Sequence, residues 1–161
     1  MASRLISPFW AAATAFLAML WLGLILGVSF LATPIKFMAP SLDLAVALDV
    51  GRVTFSVFSK VEWVLSLLLM VATLIRSSAR TEIVSATVTA LILALQAIWL
   101  LPALEIRIEA IISGTPLPPS FHHATYAAFE AAKVLALASI AFVSLFKLGW
   151  HNRTSLAAGS T

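Results

Sequence analysis

The feature that most constrains this chain is its first apolar run, residues 9–33, which holds no charged side chain at all. A surface helix of a soluble protein keeps a polar face, and a run this long without one has no side to turn to water. At about 1.5 Å per residue it covers the roughly 30 Å hydrocarbon core of a bilayer. Arg4 precedes the run, as in a secretory signal, but the apolar part of a signal is only about 7–15 residues long. The run therefore reads as a mature span. Lipid as solvent also fits the composition, 61% hydrophobic and 11% charged, against about 25% charged in soluble domains.

Three more spans follow from where charges interrupt the pattern. Arg76, Arg80 and Glu82 end the second at Ile75, and counting back about 20 residues starts it at Ser56, with Lys60 and Glu62 inside. The third, 83–101, is expected to continue as helix past Pro102, through Glu105, Arg107 and Glu109, to Gly114. Pro34 and Pro40 bracket a connector, and the prolines within 115–119 mark a turn. The clean apolar stretch 134–146 is too short to cross alone, so the fourth span must be 126–146 and take in Glu130 and Lys133. The expectation is an all-α integral membrane four-helix bundle over 1–146, with spans at 9–33, 56–75, 83–101 and 126–146, and a disordered tail over 147–161. No internal repeat is evident between the two halves.

Basic residues Arg4, Arg76, Arg80, Lys147 and Arg153 fall on one side of this arrangement, and Asp43, Asp49, Glu105 and Glu109 on the other. The positive-inside rule then puts both termini in the cytoplasm. Trp10 and Trp150 suit interfacial anchors. Gly23 and Gly27 form a G-x-x-x-G whose expected use is close packing within the chain.

Charges at depth carry the functional reading. Each costs about 2.5–3.5 kcal/mol at a helix centre on insertion scales, so they must face inward, pair or snorkel. His123, Tyr126, Glu130 and Lys133 follow helical steps of three and four, and Ser59, Glu62, Ser66 and Thr73 make a second polar stripe. Facing stripes, with Gln96 and Arg107 nearby and Arg52, Lys60, Glu105 and Glu109 at the rim, would form an outward polar pocket. The same set could instead be a salt-bridge network that fixes helix order.

Much chemistry is excluded. There is no cysteine, hence no disulfide, thiolate metal site or thiol catalysis. The adjacent His122 and His123 point about 100° apart on a helix and so do not share one ion easily. No phosphate loop or nucleophile motif is present, and Lys and Arg form no stripe for nucleic acid. No cofactor, metal or enzymatic activity is expected.

Three segments carry a resemblance. They are Leu20-Trp21-Leu22-Gly23 running on to Ala32-Thr33-Pro34; Gly51-Arg52 with Phe58-Ser59-Lys60-Val61-Glu62-Trp63; and Leu101-Pro102-Ala103-Leu104-Glu105-Ile106-Arg107 with the later helix from His123 to Lys133. Their order and content resemble the bacterial four-helix membrane family of unknown function that is similar to eukaryotic transmembrane protein 205. The resemblance implies a four-span fold, a bacterial cytoplasmic membrane and no assigned catalytic residue. The expected role is non-enzymatic: a polar pocket for a small ligand, an accessory subunit of a membrane complex, or an oligomeric solute or ion transporter. The expected partners are the bilayer and either further copies of the chain or a membrane complex.

Overall fold

The computed structural model describes the backbone of residues 2–75, 80–115 and 117–158 and the side chains of 8–75, 80–115 and 117–149. Arg4, Arg76, Trp150 and Arg153, used above for topology, lie outside the described side chains. The described backbone is helical, with no strand.

Four long helices form the fold. Helix α1 runs from Ala2–Ile25 through a wide π segment, Leu26–Ala32, into Thr33–Lys36. Helix α2 is Leu44–Ile75. Helix α3 is Arg80–Leu95, a second π segment Gln96–Leu100, and Leu101–Ile112. Helix α4 is His122–Ala158. All four are long and apolar enough to cross a membrane. All four are longer than the spans counted from composition, because helix persists into interfacial polar sequence until something stops it. After α3 the stop is Gly114, whose φ of 75° closes the end while its N–H reaches the Ile111 carbonyl. Residues 147–158 continue α4 as helix rather than forming the irregular tail expected, since they contain no proline to end it.

Pro34 does not begin the connector, as expected, but sits inside α1, and Pro102 sits inside α3. A proline ring clashes with the carbonyl four residues back. In both helices the preceding turn widens to clear it: the Thr33 N–H reaches Val28 O and the Leu101 N–H reaches Gln96 O, each five residues back. The two widened turns shape the site described below.

The helices pack in a ring in which α1 and α3 each contact both α2 and α4. Buried positions on α4 (Tyr126, Glu130, Lys133, Leu137, Ile140, Ser144) and on α2 (Phe58, Glu62, Leu65, Leu69, Ala72) step by four and three, the seam spacing of coiled coils. Thr14, Ser66, Thr73, Thr89, Gln96 and Ser144 are buried, whereas Phe142 (70% exposed) and Leu135 (72%) point outward. Polar inside and apolar outside suits lipid as the solvent.

A shift of 68 positions aligns several buried residues of the two halves. Glu62 and Glu130, 68 positions apart (130 less 62), share their interval with Pro34 and Pro102. The same shift carries buried Thr14, Ala18, Trp21 and Ile25 of α1 onto buried Glu82, Ala86, Thr89 and Leu93 of α3. It carries Phe58, Leu65 and Leu69 of α2 onto Tyr126, Lys133 and Leu137 of α4, and the last residue of one π segment onto the last of the other. Few residue types coincide, so a reading by identity misses the relation. Hairpins α1–α2 and α3–α4 thus run in the same direction and bury several corresponding positions.

The glycines at 23 and 27 do not serve internal packing, contrary to expectation. A Cβ added to either would meet nothing within 4 Å. They lie off the Trp21–Ile25 face that enters the core.

Candidate functional site

The charged stripes meet as the helical spacing requires, but they form two sites rather than one. The first is a closed layer in the core. Lys133 Nζ lies 2.5 Å from Glu62 Oε1 and 2.9 Å from Glu130 Oε1. Lys133 is 0% exposed, and each glutamate 1%. Charges so placed must be paired or neutralised, because solvation lost on burial is regained only through well-made contacts.

Each helix supplies a part. From α1, Trp21 Nε1 donates to Glu62 Oε1 at 2.9 Å, and Ser29 Oγ donates to Glu130 Oε2 at 3.1 Å. From α3, Gln96 Nε2 donates to Glu130 Oε1 at 2.8 Å. The Tyr126 side chain of α4 stands beside Glu130, and its ring meets Phe55 edge-on, centroids 5.3 Å apart. Ser29 and Gln96 both stand in π segments. Both wide turns therefore deliver a polar side chain to the same carboxylate, a use of π turns that recurs at functional sites.

The second site is a cavity of about 560 Å³ toward the end that carries the α1–α2 and α3–α4 connectors, here the loop end. Thr33, Ser59 and Ala97 are among its lining residues. Each lies about one turn or less along its helix from Ser29, Glu62 and Gln96, so the closed layer sits just beneath its floor. Apolar walls come from Phe55, Trp63, Leu101, Leu104, Ile108 and Ile111, and the polar lining includes Lys36, Arg52, Lys60, Glu105, Arg107 and His123.

These cations are unequally partnered. Arg52 pairs with Asp49 at 2.6 Å and reaches Glu109 at 3.5 Å, and Arg107 donates to the Pro118 carbonyl. Lys36 Nζ lies over the Phe37 ring at 5.0 Å and against the bare backbone of Gly51, in space that a Cβ there would occupy. Among the described residues, Lys36, Lys60 and Arg107 have no carboxylate within salt-bridge distance. Four cations against one lining carboxylate, Glu105, give the cavity a net positive lining.

The sequence-derived set divides accordingly. Glu62, Tyr126, Glu130 and Lys133 come together in the closed layer, and Arg52, Lys60, Glu105, Arg107 and His123 line the cavity, with Glu109 half a rim beyond them at Arg52. His123 does not join its expected stripe, since it is exposed whereas Tyr126 is buried. His122 instead pairs with Ser120 Oγ at 2.9 Å. Among the described residues no three His, Asp or Glu side chains converge as a metal ion would need.

Sequence reasoning missed Trp21, Ser29 and Lys36. Trp21, Ile25 and Ser29 do recur every four residues, which places them near one helix face, and that spacing was the available signal. Glu82, assigned to a polar turn, is buried: it accepts from Ser144 Oγ at 2.6 Å and Lys147 Nζ at 2.9 Å. It locks α3 to α4 at the opposite end. No family model, curated protein or solved structure matches the chain.

Proposed function

We propose that this is a non-enzymatic, multi-pass protein of a bacterial cytoplasmic membrane that binds an anionic amphiphile in its loop-end cavity. One observation carries the reading: an apolar cavity of about 560 Å³ whose lining includes Lys36, Lys60 and Arg107, without carboxylate partners among the described residues. Aliphatic and aromatic walls accept a hydrocarbon chain, and the cations accept a carboxylate or phosphate head. Pockets of this size, mostly apolar with a few placed polar groups, suit small ligands.

The termini are placed in the cytoplasm and the cavity mouth outside. The terminal end carries Arg4, Arg76, Arg80, Lys147 and Arg153 against Glu82, whereas acids balance bases at the loop end. Kinship with the bacterial four-helix family named above is part of the same proposal, supported by the helix count and the segment order.

Binding of a fluorescent long-chain fatty acid to protein in nanodiscs tests this. Saturable one-to-one binding is expected, and the alcohol of equal chain length should bind at least about tenfold more weakly. A charge-assisted hydrogen bond contributes about 1.5–3 kcal/mol, and about 1.4 kcal/mol is tenfold. Lys36→Ala with Arg107→Ala should weaken the acid by about the same factor or more and leave the alcohol unchanged. Equal binding of acid and alcohol would remove the basis for an anionic ligand.

The outward-facing Gly23 and Gly27 favour a second reading, in which another helix, from a second copy or a membrane complex, packs against α1. Because the chain has no cysteine, Gly23→Cys reports this directly. A disulfide-linked dimer in membranes is the expected result for a homo-oligomer, and a monomer under oxidation counts against it.

A further inference from the structure

The closed layer sets two carboxylates against one ammonium. Were both glutamates ionised, a net negative charge would remain in a region walled by Ile25, Phe58, Leu65, Leu93 and Leu137. No other charged side chain faces it among the described residues. Helix α1 contributes Trp21 and Ser29, α2 Glu62, α3 Gln96, and α4 Tyr126, Glu130 and Lys133. The other buried acid, Glu82, is matched by its own cation, Lys147, about four turns along α4 from Lys133.

The 68-residue shift locates the mismatch. Glu62 and Glu130 occupy equivalent positions in the two hairpins, whereas Lys133 is matched by Leu65. Two related acids therefore share one base.

We infer that this layer binds one exchangeable proton, shared by Glu62 and Glu130, in addition to those of the Lys133 ammonium. Like carboxylates this close do not both ionise readily, and the proton belongs to the pair rather than to one residue. The donors nonetheless favour one distribution. Glu130 receives Lys133, Gln96 and Ser29, a set that stabilises an ionised carboxylate, whereas Glu62 receives Lys133 and Trp21. Glu62 is the principal seat of the proton.

A separate observation points the same way. Gln96 Oε1 is a buried side-chain acceptor without a donor, and among the described residues no other such atom is found. It lies on the residue whose amide already holds Glu130. When the shared proton visits Glu130, its O–H supplies the missing donor once the Gln96 amide turns over, so this observation bears on the pair and not on Glu62 alone. The inference does not depend on what occupies the cavity.

Infrared spectroscopy of the protein in lipid films tests it, since the carboxylic C=O stretch is resolved from carboxylate bands. At neutral pH the wild type should show one protonated carboxyl per chain, shifted in D2O. Glu62→Gln and Glu130→Gln should each lose it, because the remaining glutamate then pairs one-to-one with Lys133. Glu82→Gln should keep it. Lys133→Met should raise the signal to two carboxyls. If a single variant fails to accumulate, the wild-type spectrum still decides: absence of a protonated carboxyl at neutral pH overturns the inference. So does a band that survives in both Glu62→Gln and Glu130→Gln.

Discussion

Changing Glu62 and Glu130 to glutamine together should destabilise the bundle by about 3–5 kcal/mol, the cost of leaving one member of a buried ion pair without a partner. Each single change should cost only about 1 kcal/mol, since an amide has nearly the shape of the protonated acid and Lys133 keeps one carboxylate. The double variant leaves the Lys133 ammonium at 0% exposure with no anion in reach. It must then carry an unpaired charge or lose its proton, and both oppose folding. The effect is therefore strongly non-additive. Reversible unfolding in mixed micelles, read by tryptophan fluorescence, measures all three variants. Additive effects, or single variants as damaging as the double, would show that the charges do not compensate one another as described.

The second large effect is expected at Trp21, which is 0% exposed and donates to Glu62. In water-soluble cores Trp→Ala costs about 3–5 kcal/mol. Here the unfolded reference is itself in lipid, so the transfer contribution is small and lost packing and the hydrogen bond remain. The expected cost is about 2–3 kcal/mol, at or below the lower end of that range. Trp21→Phe should cost about 1–2 kcal/mol, because it loses the donor but keeps most of the ring. The ordering Ala worse than Phe separates packing from hydrogen bonding. Equal losses in the two variants would assign the whole effect to the bond with Glu62.

Much of this was legible in the sequence, for reasons that can be named. The spans follow from where charges interrupt apolar runs, and the shortness of 134–146 forces Glu130 and Lys133 into the bilayer region. Three- and four-residue steps along α4 put Glu130 beside Lys133, and helical periodicity aims Glu62 at the same point. What the spacing could not convey is depth between helices. The layer and the cavity were read as one pocket because Ser59 and Glu62, one turn apart on α2, belong to different compartments.

Other features were hidden by the solvent itself. In an apolar run nothing obliges a lone Trp or Ser to find a partner, so Trp21 and Ser29 carried little weight until α2 and α4 were placed against α1. Pro34 read as a boundary because the widened turn that accommodates it is a property of the backbone, not of residue type. Lys36 read as the edge of a connector, and only the bare backbone of Gly51 explains where its amine goes. The 68-residue correspondence escaped because most of the aligned positions differ in residue type. Few positions keep their type, among them Pro34 and Pro102 and Glu62 and Glu130.

The whole account rests on four crossings of a bilayer, with charges meeting inside because lipid lies outside. Single cysteines in this cysteine-free chain, labelled in intact cells by a membrane-impermeant maleimide, test that most directly. Ser41→Cys and Ser113→Cys, in the two loop-end connectors, should react from the same face of the membrane, and Thr81→Cys, at the start of α3, only from the opposite one. Labelling of Ser41→Cys and Ser113→Cys from opposite faces, or of all three from one face, would contradict it.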